Sequence, residues 1–122
     1  MKYLSECDIT INVGSRTALF PNEIVCLEAE ANYTTIHLSN GKKMMVSYHL
    51  GKLQERLLPY KTFVRANRKF IVNLDFLGDF NSKYMIVKGQ EISYSRRRKD
   101  MVISVIEAID KQSFSLNWVF FK

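Results

Sequence analysis

Only two cysteines, two prolines, two histidines and five glycines occur among the 122 residues. Cys7 and Cys26 cannot build a disulfide framework, and they lack the spacing of metal ligands. Cys26 lies in the apolar run Ile24 to Leu27 and reads as a small buried hydrophobe; nothing beside either thiol favours a reactive thiolate. His37 and His49 stand without the Ser, Cys or Asp pattern of nucleophilic catalysis. There is no glycine-rich phosphate loop and no acidic pair with metal-binding spacing. The usual sequence signatures of an enzyme are therefore missing, and neither a cofactor nor a small-molecule substrate is expected. No apolar run approaches the ~20 residues that a bilayer span requires. Met1 to Glu6 is followed by charge rather than by the apolar stretch of a secretory leader. A soluble, cytoplasmic protein with no membrane partner is the expectation.

What is present is apolar mass and localised charge. A hydrophobic content of 47%, with 8 Phe and 6 Tyr, supplies a packed core and argues against disorder. The length suits a single domain over residues 1–122, which should bury roughly two thirds of its unfolded surface. The net charge of +6 is unevenly spread. Residues 1–60 balance six cations with six acids, whereas residues 61–99 hold ten Lys/Arg against three Asp/Glu. A concentrated excess of this kind marks a surface for polyanions more often than an even one does.

Short β patterns dominate the chain. Residues 9–13 alternate with β-branched side chains, Gly14-Ser15 and Pro21-Asn22 break the run, and residues 23–29 read as a buried strand. Residues 32–38 and 42–46 flank Ser39-Asn40-Gly41, the strongest hairpin signal in the sequence. Ser47 is placed to cap a helix over residues 48–58, with Leu50, Leu53, Leu57 and Leu58 on one side and Pro59 as its stop. Strands at residues 70–72, 76–80, 84–87 and 92–94 follow, with turns at Asn81-Ser82 and Lys88-Gly89. Ser95 is placed to cap a second helix running to about Ile109, with Val102, Val105, Ile106 and Ile109 as its apolar face. The tail, residues 113–122, holds Phe114, Leu116, Trp118, Val119, Phe120 and Phe121. It is too apolar for a free terminus and should pack on its own domain or meet a partner.

Two basic clusters remain. Lys61, Arg65, Arg68 and Lys69 lie between Phe63, Val64 and Phe70, which look like core anchors. Arg96, Arg97, Arg98 and Lys99 follow Ser95 where a strand gives way to a helix. Arginine offers a planar fork for a guanine edge or a phosphate, and lysine a point charge for phosphate. Each cluster alone also reads as a solvated basic face. Two clusters with few acids between them favour nucleic-acid binding, without choosing between DNA and RNA.

At this point the sequence resembles the LytTR (LytR/AlgR-type) DNA-binding family of bacterial response regulators. Glu23 to Ala29, followed by Asn32 and Tyr33, resembles the family's opening "I-x-Y-I-E-A … N-Y". His49 to Leu53 with Leu57 resembles "L-x-x-L-x-x-x-L". Phe63 to Leu74 resembles the most specific signature, "F-x-R-x-H-R-S-x-I-V-N", and Ile92 to Arg97 resembles the closing "V-S-R-R". Asn67 stands where the family usually has His, and Lys69 where it usually has Ser. The matched stretch covers about residues 10–109, so neither a preceding receiver domain nor phosphoryl-controlled dimerisation within this chain is expected.

The resemblance implies a mostly β fold, an elongated antiparallel arrangement of about ten strands with two short helices. It also implies sequence-specific binding of double-stranded DNA by a transcriptional regulator whose loops enter successive major grooves and bend the duplex. Carried over by position, Asn32, Arg68 and Arg97 would read bases, while Arg65, Lys69, Arg96 and Arg98 would contact phosphates. Asn32 also reads as a plain turn residue, and Asn73 as a side chain satisfying backbone groups at a turn. A second copy on repeated sites is an expected partner. Two rivals stay open: an RNA-binding module stacking bases on Tyr94 beside Arg96, and a protein-interaction domain docking through the tail.

Overall fold

A computed structural model describes residues 10–109. The tail and its expected packing lie outside the described residues. Among the described residues the fold is mostly β, with ten strands in three antiparallel sheets, two α-helices and two short 3-10 helices. Strands β1 (Ile11–Gly14) and β2 (Thr17–Leu19) form a hairpin. The central sheet is built from β3 (Ile24–Ala29), β4 (Thr34–Leu38), β5 (Lys43–Val46), β6 (Phe63–Arg65) and β7 (Phe70–Asn73), in the order β5-β4-β3-β7-β6. Strands β8 (Leu77–Phe80), β9 (Tyr84–Val87) and β10 (Gln90–Ser93) make the third sheet. Helix α1 spans Leu50–Leu57 and helix α2 residues 99–109.

The apolar run in β3 reflects burial on both faces. Leu27 pairs with Ile36 on β4 and Ile71 on β7, and all three join a core with Leu50, Leu53 and Leu57 of α1. Cys26 pairs with Val72 and joins a second core with Met85, Val87 and Ile92 of the third sheet and Val102 and Ile106 of α2. The pairing slips by one residue between Ile24 and Cys26. Such a bulge sets one extra residue on a strand and resets its alternation. Accordingly Val25 and Cys26 both belong to the second core, and Ile24 to the first.

Burial, with the nearby charge of Glu28, pushes the Cys26 thiol up to about 12. Each unit of that rise leaves tenfold less thiolate, so Cys26 should react about a thousand-fold more slowly than an ordinary cysteine. In a Cys7→Ser protein at neutral pH, a thiol reagent should therefore find no rapid site until the chain is unfolded.

Local signals explain most of the turns. Lys88 and Gly89 both have positive φ, 48° and 82°, as a two-residue hairpin turn demands, and they join Val87 to its partner Gln90. The Asn81 side-chain oxygen accepts from the amides of Lys83 and Tyr84 at 2.8 and 2.9 Å, fixing the β8–β9 turn. Three expectations require correction. His49, not Ser47, caps α1, its Nδ1 accepting from the Lys52 amide at 3.3 Å. Leu58 is 74% exposed, because one step past Leu57 turns it about 100° off the buried stripe. The Ser95 carbonyl accepts from the Arg98 and Lys99 amides, but its buried hydroxyl finds no partner, so only the backbone serves as a cap.

Candidate nucleic-acid interface

Three loops meet at one end of the central sheet. The first, residues 30–33, joins β3 to β4 and carries Asn32; the second, residues 66–69, joins β6 to β7 and carries Arg68. They are neighbours because β3 pairs with β7, Glu28 opposite Phe70, and the Ala29 amide donates to the Lys69 carbonyl at 2.7 Å. The third, residues 94–98, leaves β10 and carries Arg96, Arg97 and Arg98. Its Ser95 amide donates to the Ala66 carbonyl at 3.0 Å, which fastens it to the second loop.

Asn67 is the second fastener. Its Oδ1 accepts from the amides of Lys69 and Phe70 at 2.7 and 2.9 Å, and its Nδ2 donates to the Ser93 carbonyl at 2.6 Å. One short side chain thus closes the loop and ties it to the end of β10. A neutral imidazole offers one acceptor lone pair and one N–H, whereas the amide oxygen can accept both of these bonds at once while its nitrogen donates. Each bond contributes about 0.5–1.5 kcal/mol net. With three such bonds, Asn67→Ala should therefore lower stability by roughly 1.5–4.5 kcal/mol. It should also weaken duplex binding without changing the slope of log affinity against log salt, because no charge is removed.

Arg65 serves the loop from within. Its Nε donates to the Asn67 carbonyl at 2.9 Å, Nη2 to the Arg68 carbonyl at 2.9 Å, and Nη1 to Gln54 Oε1 on α1 at 2.6 Å. Three of five N–H groups are thereby used. Partial burial, together with the positive charge of Arg98, lowers its pKa from the ordinary arginine value. The attraction of an anion placed there would offset both penalties.

The other cations differ in freedom. Arg68, Arg96 and Arg97 are exposed and Arg98 is half-buried. Lys69 is exposed but pairs with Glu28 at 3.3 Å. Glu28 also meets His37 Nε2 at 3.0 Å. Partial burial opposes ionisation of Glu28, yet the hydrogen bonds and charges of His37 and Lys69 outweigh it and hold its pKa below the usual value. These two contacts are the only ion pairs among the described residues. No described acid therefore neutralises Arg65, Arg68, Arg96, Arg97 or Arg98. Asn32 is exposed in its loop, beside Tyr33 at 38% exposure. Asn73 is fully buried and donates to the Ile24 carbonyl at 2.9 Å while accepting from the Asp75 amide at 3.0 Å, so it serves the fold.

Sequence reasoning missed Gln54, which links α1 to the loop through Arg65, and Asn67, noted only as a departure from a pattern. The Asn two residues before Lys69 is the signal for such a turn-closing side chain. It could have been read.

Arg68, Arg96, Arg97 and Arg98 thus stand on loops at one end of an antiparallel β scaffold. The chain matches the LytTr DNA-binding domain family over residues 15–107, and it belongs to that family. No curated protein matches it. Among solved structures it is similar to the LytTr DNA-binding domain of a protein described as a methyl-accepting/DNA response regulator from Bacillus cereus. That similarity has a TM-score of 0.63 at 20% identity and covers 80% of this chain and 94% of the other. No helix among the described residues is long and apolar enough to cross a membrane.

Proposed function

We propose that this domain binds double-stranded DNA sequence-specifically as a cytoplasmic transcriptional regulator, without catalysis. The observation that carries the reading is a 66–69 loop hydrogen-bonded to the strand ends and loops on both sides, with Arg68, Arg96, Arg97 and Arg98 on the loops and Arg65 at the end of β6, none of them neutralised by a described acid. Arg68 and Arg97, the exposed forks on neighbouring loops, read base edges, with Asn32 as the third reader in the next groove. Arg96, Arg98 and Lys69 hold phosphates, Lys69 by exchanging Glu28 for a phosphate oxygen. Arg65 shapes the loop and offers its remaining two N–H groups and its charge. Two copies on paired repeats would supply the affinity that one small interface lacks. Both histidines have structural duties, His37 on Glu28 and His49 as a helix cap, which supports the non-catalytic reading.

The RNA reading needs open aromatic faces, and Tyr94, its best candidate, is half-buried with its hydroxyl donating to the Tyr84 carbonyl at 3.2 Å. Selection of bound duplexes from a random pool, followed by competition with single-stranded RNA, tests the proposal. An enriched motif that RNA competes for poorly is expected. No enrichment, or a preference for RNA, would defeat it.

A further inference from the structure

Helix α2 carries more apolar surface than the core consumes. Val102 and Ile106, 0% and 1% exposed, fill the second core. Met101, Val105, Ala108 and Ile109 follow the i, i+4, i+7, i+8 spacing of an adjoining face and line an open groove, with Val105 and Ile109 also packing against the edge of that core. Leu57, Leu58, Tyr60 and Phe63 line the same groove. The groove measures about 680 Å³, and Leu58 and Met101 are 74% and 48% exposed along it. That volume lies within the range of sites that hold a ligand or several large side chains.

The chain itself says what fits there. Ile109, the last described residue of α2, lines the groove, so the remaining 13 residues, 110–122, begin beside it. Asp110, Lys111, Gln112 and Ser113 are polar and sufficient in number for a reversing turn. Phe114, Leu116, Trp118 and Phe120 then alternate, with Ser115 and Asn117 between the first three. Period-two spacing puts all four large side chains on one face of an extended segment. Extended, the six steps from Phe114 to Phe120 span about 20 Å at ~3.3 Å per residue. The apolar stripe of α2 from Met101 to Ile109 is about 12 Å long at 1.5 Å per residue. Reach and pattern both suffice.

We infer that Phe114 to Phe121 doubles back and docks in this groove of its own domain, with the apolar face of the segment against Val105 and Phe63. The rest of the docking surface then becomes core, and Leu58 and Met101 become contacts. A second copy or another protein filling the groove are the competing outcomes.

Trp118 is the only tryptophan in the chain, so its fluorescence reports on this segment alone. In the full chain its emission should be blue-shifted and slowly quenched by acrylamide, equally at every protein concentration. Leu58→Glu and Met101→Glu alter exposed groove residues, so each should keep the native circular dichroism spectrum. Each should shift the emission to the red and raise the quenching rate several-fold. Water-like emission from the unaltered chain would overturn the inference. So would buried emission indifferent to both substitutions, which would put the segment elsewhere. Emission that turns red on dilution, together with a dimer-to-monomer change in sedimentation, would assign the groove to a second copy.

Discussion

Replacing Arg68 and Arg97 together with alanine should reduce affinity for a selected duplex by about 2–6 kcal/mol while lowering affinity for random DNA much less. The estimate takes about 1–3 kcal/mol of discrimination for each fork that grips a base edge. Neither arginine holds the fold through its guanidinium: both are exposed, and Arg68 contributes to the loop through its carbonyl, which alanine retains. The double variant should therefore unfold at nearly the denaturant midpoint of the unaltered protein. Electrophoretic or fluorescence titrations at fixed salt, on the selected and on scrambled sequences, separate the two effects. Equal losses on both duplexes would reduce Arg68 and Arg97 to phosphate contacts, whose effect is independent of sequence. The single variants add information, because the hydrogen-bonded loops predict that each arginine contributes to a shared surface.

Leu27→Ala is the largest stability effect expected. Leu27 is fully buried at the middle of the central sheet, between Ile36 and Ile71 and beneath α1. Truncation removes the transfer free energy of the lost methyl groups and leaves a cavity that flanking strands cannot collapse into, a loss of about 2–5 kcal/mol. A domain of this size is stable by only about 5–15 kcal/mol in all, so the variant should sit near its folding threshold. Urea unfolding followed by circular dichroism should show a much lower midpoint at an unchanged slope. Leu58→Ala, next to the buried Leu57 in the leucine run of residues 50–58, should cost less, because Leu58 lies outside that core even where the tail covers it.

These contrasting leucines show where sequence reading stops. Hairpins with Asn-Gly and Lys-Gly turns were legible because a two-residue turn dictates its own residue types. The strand at residues 84–87 was legible to the residue, since Asn81 and the Lys88-Gly89 turn bound it. Strands β2 and β6 were not separately visible, being three residues long and too short for any period to declare itself. His49 hid its capping role because histidine is an uncommon cap, and the nearer expectation fell on Ser47. The basic clusters were plain in the composition, but their adjacency was not. It depends on β3 pairing with β7 and on the Asn67–Ser93 and Ala66–Ser95 bonds, contacts between residues up to 46 positions apart. Arg65 looked like its neighbours in the sequence; only its three partners distinguish it as a loop-builder.

The most direct test of the account is an NMR titration of the labelled protein with a selected duplex, followed at every backbone amide. Shifts should appear together in residues 30–33, 66–69 and 94–98, with a single binding curve, while amides of β1, β2 and α1 stay unmoved. Shifts confined to one of the three loops, or centred on α1 and the β1–β2 hairpin, would contradict a single DNA-reading surface built from all three.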